Sequence, residues 1–180
     1  FTTGNVITLL RSVSVLGMLG LGMAITVIGR GVDLTMVATM VVGIVWALKL
    51  HQGGMDFGTA LLFGAGFAAL MGLVVGIIVA YAEIPAVFTT LAMGPVIFGL
   101  GNATLFAEDT HNAPADVAWL QTLGYERFLG IPASLYLFAV LAILVHLFLR
   151  FTRGGRSIYA IGDNLLAARH TGFPVRPVIV

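Results

Sequence analysis

The sequence predicts an all-α fold, a polytopic bundle of membrane-spanning helices, and three observations carry that prediction. First, apolar residues make up 59% of the chain and charged residues 9%, at a mean hydropathy of +1.04. A soluble domain has about a quarter of its residues charged, so these 180 residues cannot clothe a globule in polar side chains, and the outer surface must face lipid. Second, the apolar residues fall into runs close to the roughly 20 residues that cross a bilayer core, separated by short polar links. Third, runs such as Leu61-Leu62-Phe63 and Leu73 to Ala80 are apolar on every face. Only helices and closed barrels satisfy every backbone group in lipid, and barrel strands alternate apolar with polar. These runs read as helices.

The first span is expected over Val13 to Ile28 and ends at the polar Gly29-Arg30-Gly31-Val32-Asp33. A second runs from Leu34 to about Leu50, and the link from His51 to Asp56 separates it from the third, Ala60 to Tyr81. Glu83 and Pro85 interrupt next, because proline lacks an amide donor and disfavours helix at the residue before it. A fourth run extends from Ala86 to Phe106, and Glu108 to Ile131 is the long polar segment. Pro132 opens the fifth span, Ala133 to Leu149, after which Arg150 to Arg176 is polar, glycine-punctuated and basic. Val178-Ile179-Val180 starts a further apolar run. The expectation is therefore five spans and the start of a sixth in a single membrane domain over residues 1–180. The absence of an initiator methionine at Phe1 and the run opened by Val178 lead us to expect an internal piece of a longer protein.

Orientation follows from the basic residues. Arg150, Arg153, Arg156, Arg169 and Arg176 are five of the nine Lys and Arg, and the positive-inside tendency makes their segment, about 150–177, cytoplasmic. Counting back places Arg30 and Glu83 inside and the His51 link and Glu108 to Ile131 outside. Trp46, Tyr81, Trp119 and Tyr136 fall near expected span ends, as interfacial aromatics do.

Several function classes drop out. There is no cysteine and the net charge is +1, which leaves no thiolate metal site or disulfide, and no basic cluster dense enough for nucleic acid. His146 stands alone in its span without a second ligand at metal spacing. No nucleophile with its base, phosphate loop or dinucleotide fingerprint is present. The reading is a non-catalytic protein with no catalytic, cofactor-binding or metal-ligating residues.

Four features stand out from this background. Gly64, Ala68, Gly72 and Gly76 recur every fourth residue, a small-residue stripe on which another helix can pack closely. Asp33, followed by Thr35, either caps the next helix through its side-chain oxygen or belongs to a broken helix lining a substrate path; the cap is preferred on physical grounds. Pro95 interrupts the hydrogen bonding of the fourth run. Thr89 and Thr90, just before it, either bond back to the backbone or face a polar path. Finally, Asp163 or Asn164 can cap a short helix from Leu165 to Arg169 that Gly172 and Pro174 end. Ala167 and Ala168 would keep that helix close to a partner's surface, Arg169 can meet an acidic rim, and Gly162 and Gly172 would turn the chain at both ends. A docking knob for a soluble partner is one reading, and a solvated connector the other.

Three stretches resemble the permease family of bacterial ABC importers that includes the ribose, xylose and galactose permeases. Gly31-Val32-Asp33-Leu34-Thr35, after Gly20-Leu21-Gly22-Met23-Ala24-Ile25-Thr26-Val27-Ile28, is similar to a G-G-[IV]-D-L-S-V-G signature. Arg30 and Met36-Val37 depart from it. Gly155-Arg156-Ser157-Ile158-Tyr159-Ala160-Ile161-Gly162-Asp163-Asn164, with Ala167-Ala168-Arg169 and Gly172, resembles the family's cytoplasmic loop, and Ile84 to Leu91 matches a weaker I-P-[AS]-F-[IV]-x-T-L pattern. The resemblance implies a translocation path for a small sugar across the bacterial inner membrane, with further C-terminal spans completing the bundle. It also implies a second permease chain, two cytoplasmic ATPase subunits that hydrolyse ATP, and a periplasmic solute-binding protein, all around a lipid-embedded core. The Asp163-to-Gly172 loop would seat the ATPase. Cargo of branched-chain amino acids or another small polar solute is the alternative within the same superfamily. An ion-coupled transporter would require ionisable groups deep in the spans, where Asp33 and His146 alone qualify.

Overall fold

The structure, a computed structural model, describes residues 2–105, 114 and 116–180. In chain order its elements are α1 (Thr3–Ile28), α2 (Met36–Gln52), α3 (Phe57–Tyr81), α4 (Ala86–Thr104), α5 (Ala118–Tyr125), β1 (Arg127–Phe128), β2 (Ile131–Pro132), α6 (Ala133–Phe151), α7 (Arg153–Asp163), α8 (Leu165–His170) and α9 (Val175–Ile179). The helices α1, α3, α4 and α6 are long and apolar enough to cross a membrane, and α2 is a shorter apolar helix of 17 residues. With α9 opening the next run, the predicted helical bundle is what forms.

The helix starts follow from local chemistry. The Thr2 hydroxyl accepts the Asn5 amide at 3.4 Å, so α1 begins ten residues before the apolar pattern does. Asp56 Oδ2 accepts the Thr59 amide at 3.1 Å and starts α3. Pro85 and Pro132 stand at the N-caps of α4 and α6, where a missing amide donor costs nothing. Between α3 and α4, Glu83 adopts a left-handed φ of 55°. Helix α4 continues unbroken through Pro95.

Contacts divide the chain into two units. One comprises α1 together with α5, the hairpin, α6, α7 and α8. Here α1 and α6 pack so closely that a Cβ on Gly17 would lie 2.6 Å from the Phe138 ring. Within the expected outer segment, residues 106–113 and 115 lie outside the described residues, and the remainder folds as α5 and a two-residue hairpin. Leu129 and Gly130, both at positive φ, make its turn, and the Tyr136 hydroxyl donates to the Phe128 carbonyl at 3.1 Å.

The other unit comprises α2, α3, α4 and α9. Its core is the α2–α3 pair, with Val42, Val45, Ala47, Leu48, Phe57 and Ala60 buried. Gly43 and Gly64 cross backbone to backbone, since a Cβ on Gly64 would meet the Gly43 carbonyl oxygen at 2.5 Å. Trp46, read as an interfacial residue, packs edge-on against Phe63 and Phe67 at centroid distances of 6.4 and 5.8 Å. The small-residue stripe is thus used at two of its four positions. Gly64 receives α2, and Gly76 receives the end of α9, where a Cβ would sit 2.8 Å from Val180 Cα. Ala68 is half-buried, and Gly72 is open. Arg176 of α9 stands over the Tyr81 ring at 5.5 Å and pairs with Glu83 at 3.4 Å.

Candidate functional site

The sequence-predicted residues gather in two places, one in each unit. The first is the break between α1 and α2, where α1 ends through a left-handed turn. Gly29 donates to Ile25, and Arg30, at φ 67°, donates to Val27 at 3.0 Å. Arg30 therefore occupies the position after a helix cap where glycine is favoured, at a cost of about 1 kcal/mol for any residue with a Cβ.

Residues 31–35 then run without helix, and Asp33 folds them locally. Its Oδ1 accepts both the Thr35 amide at 2.8 Å and the Thr35 hydroxyl at 2.6 Å. This is a turn closed two residues on, lying before the helix. The N-cap of α2 is Thr35, which makes no side-chain cap bond. Asp33 thus preorganises the cap residue and does not itself cap α2, a correction to the simplest reading. Thr35 is buried, and its carbonyl accepts the Thr39 hydroxyl at 2.9 Å.

Against this turn lies α4. Thr90, 2% exposed, donates its hydroxyl toward Ala86 O at 2.8 Å and Val32 O at 3.0 Å. Thr89 is buried as well and reaches Pro85 O at 3.5 Å. A Cβ on Gly94 would lie 3.7 Å from the Leu34 carbonyl oxygen. Asp33, Thr35 and Thr90 therefore form one cluster, with Thr89 beside it. Thr39 and Gly94 join it and were not singled out in the sequence. Both threonines of α4 bond back to backbone carbonyls, the first of the two alternatives considered for them.

If the Asp33 role is structural, an amide oxygen serves as well as a carboxylate. Asp33→Asn is then expected to leave stability close to wild type. Asp33→Ala strands the Thr35 groups and loses about 1–2 kcal/mol. Thermal unfolding of the purified protein checks this. Equal losses for both variants would assign the role to the charge.

The second place is the segment after α6. Its first half, read in the sequence only as polar, glycine-punctuated and basic, is a helix, α7. Thr152 both ends α6, donating to Phe148 O at 2.7 Å, and caps α7, accepting the Gly155 amide at 3.0 Å. Gly155 and Gly162 lie two turns apart on one face, and each lets a neighbouring backbone approach to contact. Gly155 rests on the Phe148 and Leu149 backbone, and Gly162 on the carbonyl of Ile28. Between them Ile158 packs on Gly29 at 3.6 Å from an ideal Cβ, and Ile161 is buried. Helix α7 is thereby seated on the C-terminal ends of both α6 and α1. Gly162 consequently does not turn the chain, as had been expected; it sits inside α7 as a packing residue. The signal was present as Gly155, Ile158 and Gly162, a helical face at i, i+3 and i+7.

The opposite face presents Arg153 and Arg156, with Tyr159 exposed beside them and Ala160 half-buried. Asn164 then ends α7 and caps α8, its Oδ1 accepting the Ala167 amide at 3.0 Å. Asp163, the other candidate cap, is the last residue of α7. Helix α8 closes with Gly172 at φ 82°, where Gly172 donates to Arg169 O and Phe173 to Ala168 O. That paired closure needs a left-handed residue, and glycine supplies it without strain. Ala167, Arg169 and Leu166 are exposed, whereas Ala168 is buried at 3%. The two alanines do not share one docking face. His146 lies on the exposed side of α6, and among the described residues no group of His, Asp and Glu is placed to hold a metal.

The family profile described as branched-chain amino acid transport system / permease component matches residues 5–180. The chain is similar to the ribose import permease protein of Escherichia coli K12, at 26% identity over 99% of this chain and 56% of the relative. It is also similar to the fructose import permease protein of Bifidobacterium longum, at 28% identity over 98% of this chain and 50% of the relative. The galactofuranose transporter permease protein of Escherichia coli K12 is 28% identical over 98% of this chain and 51% of the relative. The chain spans about half the length of the curated relatives it matches. No solved structure matches it.

Proposed function

The chain belongs to the branched-chain amino acid transport system / permease component family, and from that premise we propose that it forms part of the translocation path for a small sugar in an ATP-driven importer of the bacterial inner membrane. The observation that carries the proposal is the α7–α8 pair. A connector needs only to cover distance, but α7 is capped at Thr152, seated by two glycines on the ends of α1 and α6, and followed by a second capped helix. That is a rigid platform joined to spanning helices, suited to receive force from a soluble partner. The basic residues of this segment support its cytoplasmic placement.

The protein holds the path and hydrolyses nothing itself. Two ATPase subunits supply the energy, a second permease chain completes the path, and a periplasmic binding protein delivers the cargo. The names of the relatives, which concern ribose, fructose and galactofuranose, support sugar over amino acid.

Full-length protein reconstituted in proteoliposomes with its ATPase and binding protein is expected to take up labelled ribose, fructose or galactose only with ATP. Preferential uptake of leucine would overturn the cargo. Uptake that ignores ATP and follows an ion gradient would overturn the energy source.

A further inference from the structure

We propose that Thr90 is a positioning residue that holds the Val32–Thr35 break against α4 through a bond it can release at little cost. The break's place in a transport path rests on the function proposed above; the latch itself does not. Thr90 is buried, and its hydroxyl lies 2.8 Å from Ala86 O, 3.0 Å from Val32 O and 3.4 Å from Val87 O. A hydroxyl has a single proton to donate. It therefore bonds either its own helix at Ala86 or, across the gap, Val32.

This choice sets the energetics. Releasing a buried bond normally strands a donor, and the stranded group opposes opening. Here the donor swings to Ala86, an i−4 back-bond that slightly disfavours the helix, so opening costs about the net worth of the Val32 bond and not the full penalty of a stranded donor. Residues 31–35 are non-helical, and among the described residues no other hydrogen bond joins the backbone of residues 31–34 to another helix. Asp33 meanwhile keeps the turn internally folded through Thr35. The break can thus leave α4 as one preformed piece. Leu34, exposed at 44% and with its carbonyl facing Gly94, is the residue whose surroundings change on release.

The test uses the full-length protein in membranes, with Leu34→Cys as the one cysteine and a thiol reagent as probe. Thr90→Val keeps the shape and deletes the donor, Thr90→Ala deletes it without the branched bulk, and Thr90→Ser retains it. Both donor-less variants are expected to raise the labelling rate about fivefold, the population shift that one net hydrogen bond controls. Thr90→Ser should stay within about twofold, since its hydroxyl reaches the same acceptors. In uptake, loss of the donor should change the maximal rate and leave KM in place, with serine restoring it. Unchanged labelling in both the valine and alanine variants, or serine behaving as valine does, would overturn the latch. Labelling requires no cargo, so a latch that responds as expected in a protein that imports no sugar would count against the transport function and leave this inference standing.

Discussion

Gly162→Val is expected to lift α7 off the end of α1 and abolish coupling to the ATPase while the spanning helices stay inserted. A Cβ at residue 162 falls onto the Ile28 carbonyl, a backbone group held by α1 itself. No rotamer change relieves such a contact, so the cost is at the upper end of the roughly 1–3 kcal/mol for overpacking. Either α7 moves or α1 unwinds, and the ladder of α1 makes the first cheaper. Limited trypsin digestion should then cut at Arg153 and Arg156 about tenfold faster, in line with a loss of local protection of that size. The ATPase should no longer co-purify. Gly20→Ala is the control, because nothing lies within 4 Å of a Cβ there. Wild-type digestion and coupling in Gly162→Val would remove the seat from the mechanism.

The second large effect separates neighbours. Ala167→Trp places an indole on an exposed position of α8, so the chain should fold and insert normally and yet fail to bind the ATPase. Ala168→Trp forces the same ring into a position only 3% exposed, so it should destabilise the protein itself by about 1–3 kcal/mol or more. Unfolding midpoints and ATPase co-purification, measured on both variants, distinguish the two. If Ala167→Trp retains the complex and its sugar-stimulated hydrolysis, the exposed face of α8 is a connector surface.

Why these residues divide in this way was only partly legible in the sequence. The helices were legible because lipid imposes one demand, continuous apolar length, that a run such as Ala60 to Tyr81 meets without reference to any neighbour. Asn164, the short helix after it and Gly172 were legible for the same reason, since a cap and a left-handed closure are local. What escaped depends on partners distant in the chain. Gly155 and Gly162 resemble turn glycines until Leu149 and Ile28 are seen beneath them. Ala167 and Ala168 are indistinguishable until burial separates them. Thr90 looked like one of two polar residues near a proline, and its bond to Val32, 58 residues away, has no local signature. Asp33 misled in a smaller way. Its oxygen does bond an amide, but one residue too early for a cap on α2, because the turn closes before the helix begins.

The packing of α1 against α6 also has a consequence in time. Gly17 finds Phe138 roughly 120 residues later in the chain, and ribosomes add about 5–20 residues per second. Helix α2 meets α3 almost as soon as both emerge, but α1 must wait in the bilayer on the order of ten seconds before its groove is filled. During that interval the small-residue surface around Gly17 and Gly20 faces lipid or whatever holds newly inserted helices. The α1–α6 pairing thus forms after α2, α3 and α4 have emerged, and α7, whose seat needs the ends of both α1 and α6, follows it. A protein stalled before α6 would carry the Val32–Thr35 turn already folded against α4, with α7 still to be made.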